Sequence, residues 1–255
     1  MEKLAARLWQ ARQTGEAISP DEGAVLTDDS QAYDVQAKIV ELSGQAVIGY
    51  KVGSTSPEAQ KKLGTTEPGS SPVLATYYHE SPAQIRISLD QSPGVEGEFL
   101  VRLGKDLPPS GNTYGIDEVM AAVDAVAGCV EVVGCRFAGG LAGKGRLLIA
   151  ADCYANMNLV HGPFTYDWRD LNMPDHPVRL AINGLTRQEG TGAKALGNPL
   201  NVLVWLANKQ SASGLGLKAG DVIATGTCTG IEPVQPGEDL TCDFGSLGTV
   251  KIAFS

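Results

Sequence analysis

The sequence predicts an α+β fold in which a smaller, mostly helical amino-terminal region precedes a larger domain built on a mixed or antiparallel sheet. Three observations predict it. Apolar residues recur at helical spacing through the first 45 positions, strand-like runs dominate after residue 80, and few helical stretches separate those strands. A doubly wound sheet would alternate strand with helix instead.

Leu4, Leu8 and Ala11 recur one helical turn apart, and Val35, Ile39, Val40 and Leu42 do so after the polar cluster Asp28-Asp29-Ser30, so two helices are expected. Residues 46–52 are apolar apart from Lys51 and stop at Gly53, the pattern of a buried strand entering a loop. Residues 57–63 read as a short helix. From Thr65 to Pro93 the chain carries Pro68, Pro72, Pro82 and Pro93 among serines and glycines, and only residues 84–89 alternate like a strand. The domain junction is placed there, dividing the chain into residues 1–80 and 81–255. Strands are then expected over residues 95–103, 129–133, 177–182, 221–225 and 249–254, with helices over 116–127 and 199–208. No internal repeat is visible.

Composition narrows the function. Of 255 residues 43% are hydrophobic, enough for a sizeable core. The 31 glycines and 14 prolines fall below the level of low-complexity disorder and read as turns. Twenty basic against 29 acidic residues leave a net charge of -9 with no basic block, which excludes nucleic acid as the expected partner. No run approaches the 18 or so apolar residues of a membrane span. Scattered charges among residues 1–17 are unlike a secretion signal. The five cysteines include no CxxC pair, and Cys129, Cys135 and Cys153 lie in or beside apolar stretches, so buried thiols in a reducing, cytoplasmic compartment are expected. Gly143-Lys144-Gly145 and Gly214-Leu215-Gly216 lack the strand-to-helix setting of a dinucleotide site.

The chemistry is carried by acids. In the strand over residues 95–103 a period of two puts Glu96 and Glu98 on one face, where repulsion raises one pKa unless a cation intervenes. Glu131 stands between Cys129-Val130 and Val132-Val133, a carboxylate inside an apparently buried strand, and a lone buried charge costs several kcal/mol. Three carboxylates suit a hard ion, Mg2+ or Mn2+, with coordination positions left for water and a chelating substrate. The competing reading is an exposed strand face for Glu96 and Glu98, with Glu131 paired to an arginine such as Arg136. Lys51, between Gly49 and Gly53 on an apolar strand, either faces a substrate or forms an ion pair with one of these glutamates. Asp152, beside Ala150-Ala151, is either a carboxylate supporting the site or a turn residue.

Ile48-Gly49-Tyr50-Lys51-Val52-Gly53, Glu96-Gly97-Glu98 and Glu131-Val132-Val133-Gly134-Cys135-Arg136 stand in the order found in the fumarylacetoacetate hydrolase superfamily, which the chain resembles over nearly its whole length. Ala151-Asp152, Gly197-Asn198-Pro199-Leu200-Asn201, Val204-Trp205-Leu206-Ala207 and residues 220–227 narrow the likeness to its 2-oxopent-4-enoate hydratase and 4-oxalocrotonate decarboxylase group. The resemblance implies a mixed β-sheet roll or barrel. It implies Glu96, Glu98 and Glu131 as ligands of Mg2+ or Mn2+, Lys51 and Asp152 as catalytic residues, and Lys51, Asn198 and Thr227 as substrate-binding residues. The implied activity is hydration of a 2-hydroxypenta-2,4-dienoate in aromatic catabolism. Alternatives are a 2-oxo acid decarboxylase, an acylpyruvate hydrolase and a non-catalytic partner subunit. A homo-oligomer or a complex with a pathway enzyme is implied too. Two positions depart from the pattern: Thr76, where relatives carry an acid, and Gly94, where they carry a base. Tyr77 and His79 lie near the first and are candidate substitutes for proton transfer.

Overall fold

The computed structural model describes all 255 residues. Helices α1 (Glu2–Thr14) and α2 (Asp29–Ser43) form where the apolar spacing places them, burying Leu4, Leu8 and Ala11 of one and Ala32, Val35 and Ile39 of the other. Both end on a glycine in the left-handed region, Gly15 at φ 83° and Gly44 at φ 62°, and Asp28 caps α2 by accepting the Gln31 N–H at 2.9 Å. Next come β1 (Val47–Gly53), α3 (Pro57–Leu63), β2 (Gly69–Leu74), β3 (Tyr78–Glu80), β4 (Ala83–Ile85), β5 (Gly94–Leu103), α4 (Ile116–Ala122), β6 (Val123–Val133) and α5 (Gly145–Ala151). The chain closes with β7 (Asn156–His161), β8 (Pro177–Ile182), β9 (Leu185–Thr191), α6 (Pro199–Ala212), β10 (Val222–Thr227), β11 (Glu232–Pro233), β12 (Asp239–Asp243) and β13 (Thr249–Phe254).

The strands make two mixed sheets, as the α+β reading expects. The larger runs β2-β1-β10-β5-β6-β7-β3, with β11 added on β5, and the smaller runs β4-β13-β12-β8-β9. In the larger sheet β1 pairs parallel with β10, and β3 with β7. The main core of 38 buried residues joins one face of the larger sheet, through Phe99, Val130 and Val132, to Leu180, Val250 and Ile252 of the smaller sheet and Leu203 and Leu206 of α6. A second core of 16 residues gathers α1, α2 and α5 around Cys135, Phe137 and Tyr154. The candidate site opens between this helical layer and the other face of the larger sheet.

Several expectations need correcting. The helix expected over residues 116–127 ends at Ala122, and the following residues lengthen the next strand to Val123–Val133. That strand is buried on both faces, so its sequence shows no alternation, and its Ala and Val residues read as a continuation of the helix. Of the strand expected over 84–89, only residues 84 and 85 lie in a strand, β4, which starts at Ala83. Strands β2, β3, β7, β9, β11 and β12 and helix α5 were not expected. The larger sheet also crosses the division expected at residue 80, because β1 and β2 hydrogen-bond into it beside β10.

Candidate active site

Glu96 and Glu131 face each other directly across the β5–β6 pair, and Glu98 lies one pleat further along the same face. One carboxylate oxygen from each comes within 4.8 Å of the others. Glu98 and Glu131 are 1% and 0% exposed. On the other side of β5, strand β10 places Thr227 opposite Glu98 and donates the Gly226 N–H to Glu98 Oε2 at 2.8 Å. Gly226 has φ 89°, and a Cβ there would collide with the Thr55 side chain, so only glycine lets the backbone come this close.

Lys51 reaches the cluster from β1, its Nζ 3.1 Å from Glu131 Oε2 with both side chains buried. Asn156, at the start of β7, donates Nδ2–H to Glu131 Oε1 at 2.8 Å. Glu131 Oε2 nevertheless has no aligned hydrogen-bond donor; Lys51 lies at ion-pair distance only. Burial, and next the charge of Glu131, push the Glu96 carboxyl up to about 7 against the pull of Lys51 and Thr227. The same two causes hold Glu98 well above the ordinary carboxylate range. An orphaned buried oxygen amid crowded acids is the environment a divalent cation relieves, and with Lys51 the local charge closes to zero when one is added. The residues present therefore fit such an ion.

The carboxylates form part of the wall of a cavity of about 450 Å³. Lys51, Thr227, Ser54, Thr55, Ser56 and Lys62 supply further polar lining, and α3, the segment 141–145 and Tyr154 close it from the helical side.

Of the residues expected at the site, Lys51, Glu96, Glu98 and Thr227 line this cavity and Glu131 lies behind them against Lys51. Two lie elsewhere. Asp152 is spent on Arg136, accepting its Nε–H at 2.5 Å and its backbone N–H at 2.8 Å, which makes it a structural ion-pair partner and also removes Arg136 as the partner of Glu131. Asn198 caps α6, accepting the Leu200 N–H at 2.9 Å, and does not line the cavity. His79 binds Asn158 Oδ1 at 2.9 Å, and the Tyr77 ring lies 3.9 Å beneath the Arg12 guanidinium; neither lines the cavity. Thr76 is exposed. At Gly94 a side chain would collide with Ile231, so no base fits there without rearrangement.

Two contributors carry no local signal in the sequence. Asn156 looks like any polar residue before a strand. Tyr154 belongs to three successive non-glycine residues in the left-handed region, Cys153 at φ 51°, Tyr154 at 49° and Ala155 at 62°. Arg136 secures this turn by donating to the carbonyls of Asp152 and Asn156 at 2.5 and 2.7 Å.

Fold and site together define an α+β protein with a buried carboxylate cluster in the wall of a cavity. The chain belongs to the fumarylacetoacetate hydrolase family: residues 49–254 match the family model described as Fumarylacetoacetate (FAA) hydrolase C-terminal. It is similar to a 2-keto-4-pentenoate hydratase from Paraburkholderia xenovorans (strain LB400), at 32% identity covering 99% of this chain and 94% of that protein. A 2-hydroxyhexa-2,4-dienoate hydratase from Comamonas testosteroni is 28% identical, with 100% and 97% covered. Among solved structures, 4-oxalocrotonate decarboxylase from Pseudomonas putida G7, complexed with magnesium and adipate, matches at TM-score 0.91 and 26% identity, covering 100% of this chain and 97% of that one.

Proposed function

We propose that this protein is a metal-dependent hydro-lyase that adds water to a 2-hydroxypenta-2,4-dienoate, with Glu96, Glu98 and Glu131 holding Mg2+ or Mn2+. The observation that carries this reading is the cluster of three carboxylates, Glu98 and Glu131 buried and Glu96 partly so, with one Glu131 oxygen that meets only the Lys51 ammonium, set beside a cavity in a chain whose full-length relatives are named hydratases. Magnesium and calcium bound in the 4-oxalocrotonate decarboxylase structures, and Mn2+ in a fumarylpyruvate hydrolase, support a divalent ion.

When bound, the cation supplies a Lewis acid that favours negative charge on the substrate oxygen at C2. The chain's own residues do the rest. Lys51, fixed by Glu131, presents an ammonium to the substrate carboxylate and can move a proton between solvent-excluded positions. Protonation at C5 converts the dienoate to a 3-unsaturated 2-oxo acid, and water then adds at C4. Thr227, whose hydroxyl oxygen accepts the Gly230 N–H at 2.7 Å, turns its own proton towards Glu96 and holds that carboxylate in place.

A second reading, decarboxylation of a 2-oxo diacid, is favoured by the whole-chain likeness to the decarboxylase structure. Protein stripped of metal, resupplied with Mg2+ or Mn2+ and offered 2-hydroxypenta-2,4-dienoate and 2-oxohex-3-enedioate separates the two. The expected outcome is metal-dependent loss of dienoate absorbance with a 4-hydroxy-2-oxo acid as product. Carbon dioxide release from the diacid alone would establish the decarboxylase, and metal binding without turnover of either a non-catalytic subunit. All five cysteines are free and buried, which supports a cytoplasmic setting, and no helix is long and apolar enough to cross a membrane. Assembly with copies of itself or with a pathway enzyme is part of this proposal.

A further inference from the structure

Arg12 is a cation without a carboxylate of its own. It stands in the last turn of α1, its Nε–H is buried without a partner, and Asp152, close enough to feel its charge, is paired with Arg136 instead. Burial, and next the charge of Arg136, lower its pKa to about 10. Taking a guanidinium out of water beside a like charge is unfavourable unless its donors are engaged.

Those donors converge on the first two residues of β7. Nη1–H donates to the Asn156 carbonyl at 2.7 Å, and the Nη2 group donates to the Met157 carbonyl at 2.6 Å and to Asn156 Oδ1 at 3.3 Å. Arg136 brings a second guanidinium to the same Asn156 carbonyl at 2.7 Å. The end of α1 is itself pinned: buried Gln91 donates Nε2–H to the Ala11 carbonyl at 2.7 Å, and its own carbonyl accepts the Cys135 N–H at 2.8 Å.

A guanidinium only donates and a carboxylate only accepts, so the amide between them can point one way: Oδ1 towards Arg12, Nδ2–H towards Glu131 Oε1 at 2.8 Å. Hydrogen bonds in such a chain polarise and strengthen one another. We infer that Arg12 is a positioning residue of the metal centre: it acts on Glu131 through the Asn156 amide, so that α1 fixes the direction in which this carboxylate meets the cation. The inference rests on the metal reading above. Arg12 does not line the cavity and hydrogen-bonds to none of the three glutamates, which leaves Asn156 as its route to them.

Calorimetric titration of the metal-free full chain with Mn2+ tests this without turnover, on the unaltered protein, Arg12→Met, Asn156→Ala and the double variant. Each single change should weaken Mn2+ binding by about 10- to 100-fold, the usual effect of losing a group that orients a metal ligand. The double variant should bind within about twofold of the weaker single variant, because two residues in one chain do not add. Arg12→Lys keeps the buried charge, and with it the fold, but cannot span both carbonyls and Oδ1 at once; it should still lose at least about threefold. Losses that multiply in the double variant show Arg12 acting by another route and overturn the inference. So does Mn2+ affinity that stays within about twofold in Arg12→Lys and Arg12→Met while the melting temperature falls, the outcome of a purely structural role. Both leave the metal reading standing, whereas absence of Mn2+ binding by the unaltered protein overturns that reading as well.

Discussion

Lys51 carries the charge balance of the site, being the one cation buried among three carboxylates. Lys51→Met keeps most of the aliphatic stem but can neither hold an anion nor move a proton, so kcat/KM should fall by at least about 10²-fold. Metal affinity, followed by titration on the same variant, should hold or rise because a competing positive charge has gone. A near-normal rate would reduce Lys51 to an ion-pair partner of Glu131. At this scale the sequence was legible where a residue contradicts its surroundings: acids two apart on a strand, an acid inside an apolar run, a lysine between glycines. Asn156 escaped because its role exists only once β7 lies beside β6. Asp152 and Asn198 were misplaced because a motif records that a residue matters, and a buried ion pair or a helix cap matters as much as a catalytic group.

Between α5 and β7 the chain spends three residues in the left-handed region, at a cost on the order of 1–2 kcal/mol each. The Arg136 and Asp152 pair is what makes that turn tolerable, since it satisfies the carbonyls on both sides and seats Asn156 against Glu131. Arg136→Met should therefore cost about 3–5 kcal/mol in urea denaturation, the usual result of stranding one half of a buried pair. It should also weaken metal binding, which a remote structural defect would leave untouched; a loss below about 1 kcal/mol would show that the turn holds itself. Elements with one wet face, α1, α2 and β13, were readable from their periodicity. Residues 123–128 of β6 and the whole of β7 were not, because a strand buried on both faces has no period to read.

For the molecule as a whole, the raised carboxyls tie stability to pH and to metal. Glu96 keeps its proton up to about 7 in the folded chain, whereas the unfolded chain releases it near 4.5, so the folded state binds more protons between these values. Metal-free protein should accordingly lose melting temperature as pH rises from 5 to 8, and saturating Mg2+ should remove most of that slope; a metal-free Tm independent of pH would show that the carboxyls are not crowded. Glu131 and Glu96 are near neighbours in a local strand pair, while β10, which supplies Thr227 and the Gly226 N–H, reaches its place between β1 and β5 from far down the chain. Assembly is thus governed by loop closure. The acids are synthesised and paired early, and the strand that finishes their cage is among the last to leave the ribosome, so a nascent chain must carry two unpaired sheet edges, with β1 and its Lys51 not yet joined to the acids' strands, until it arrives.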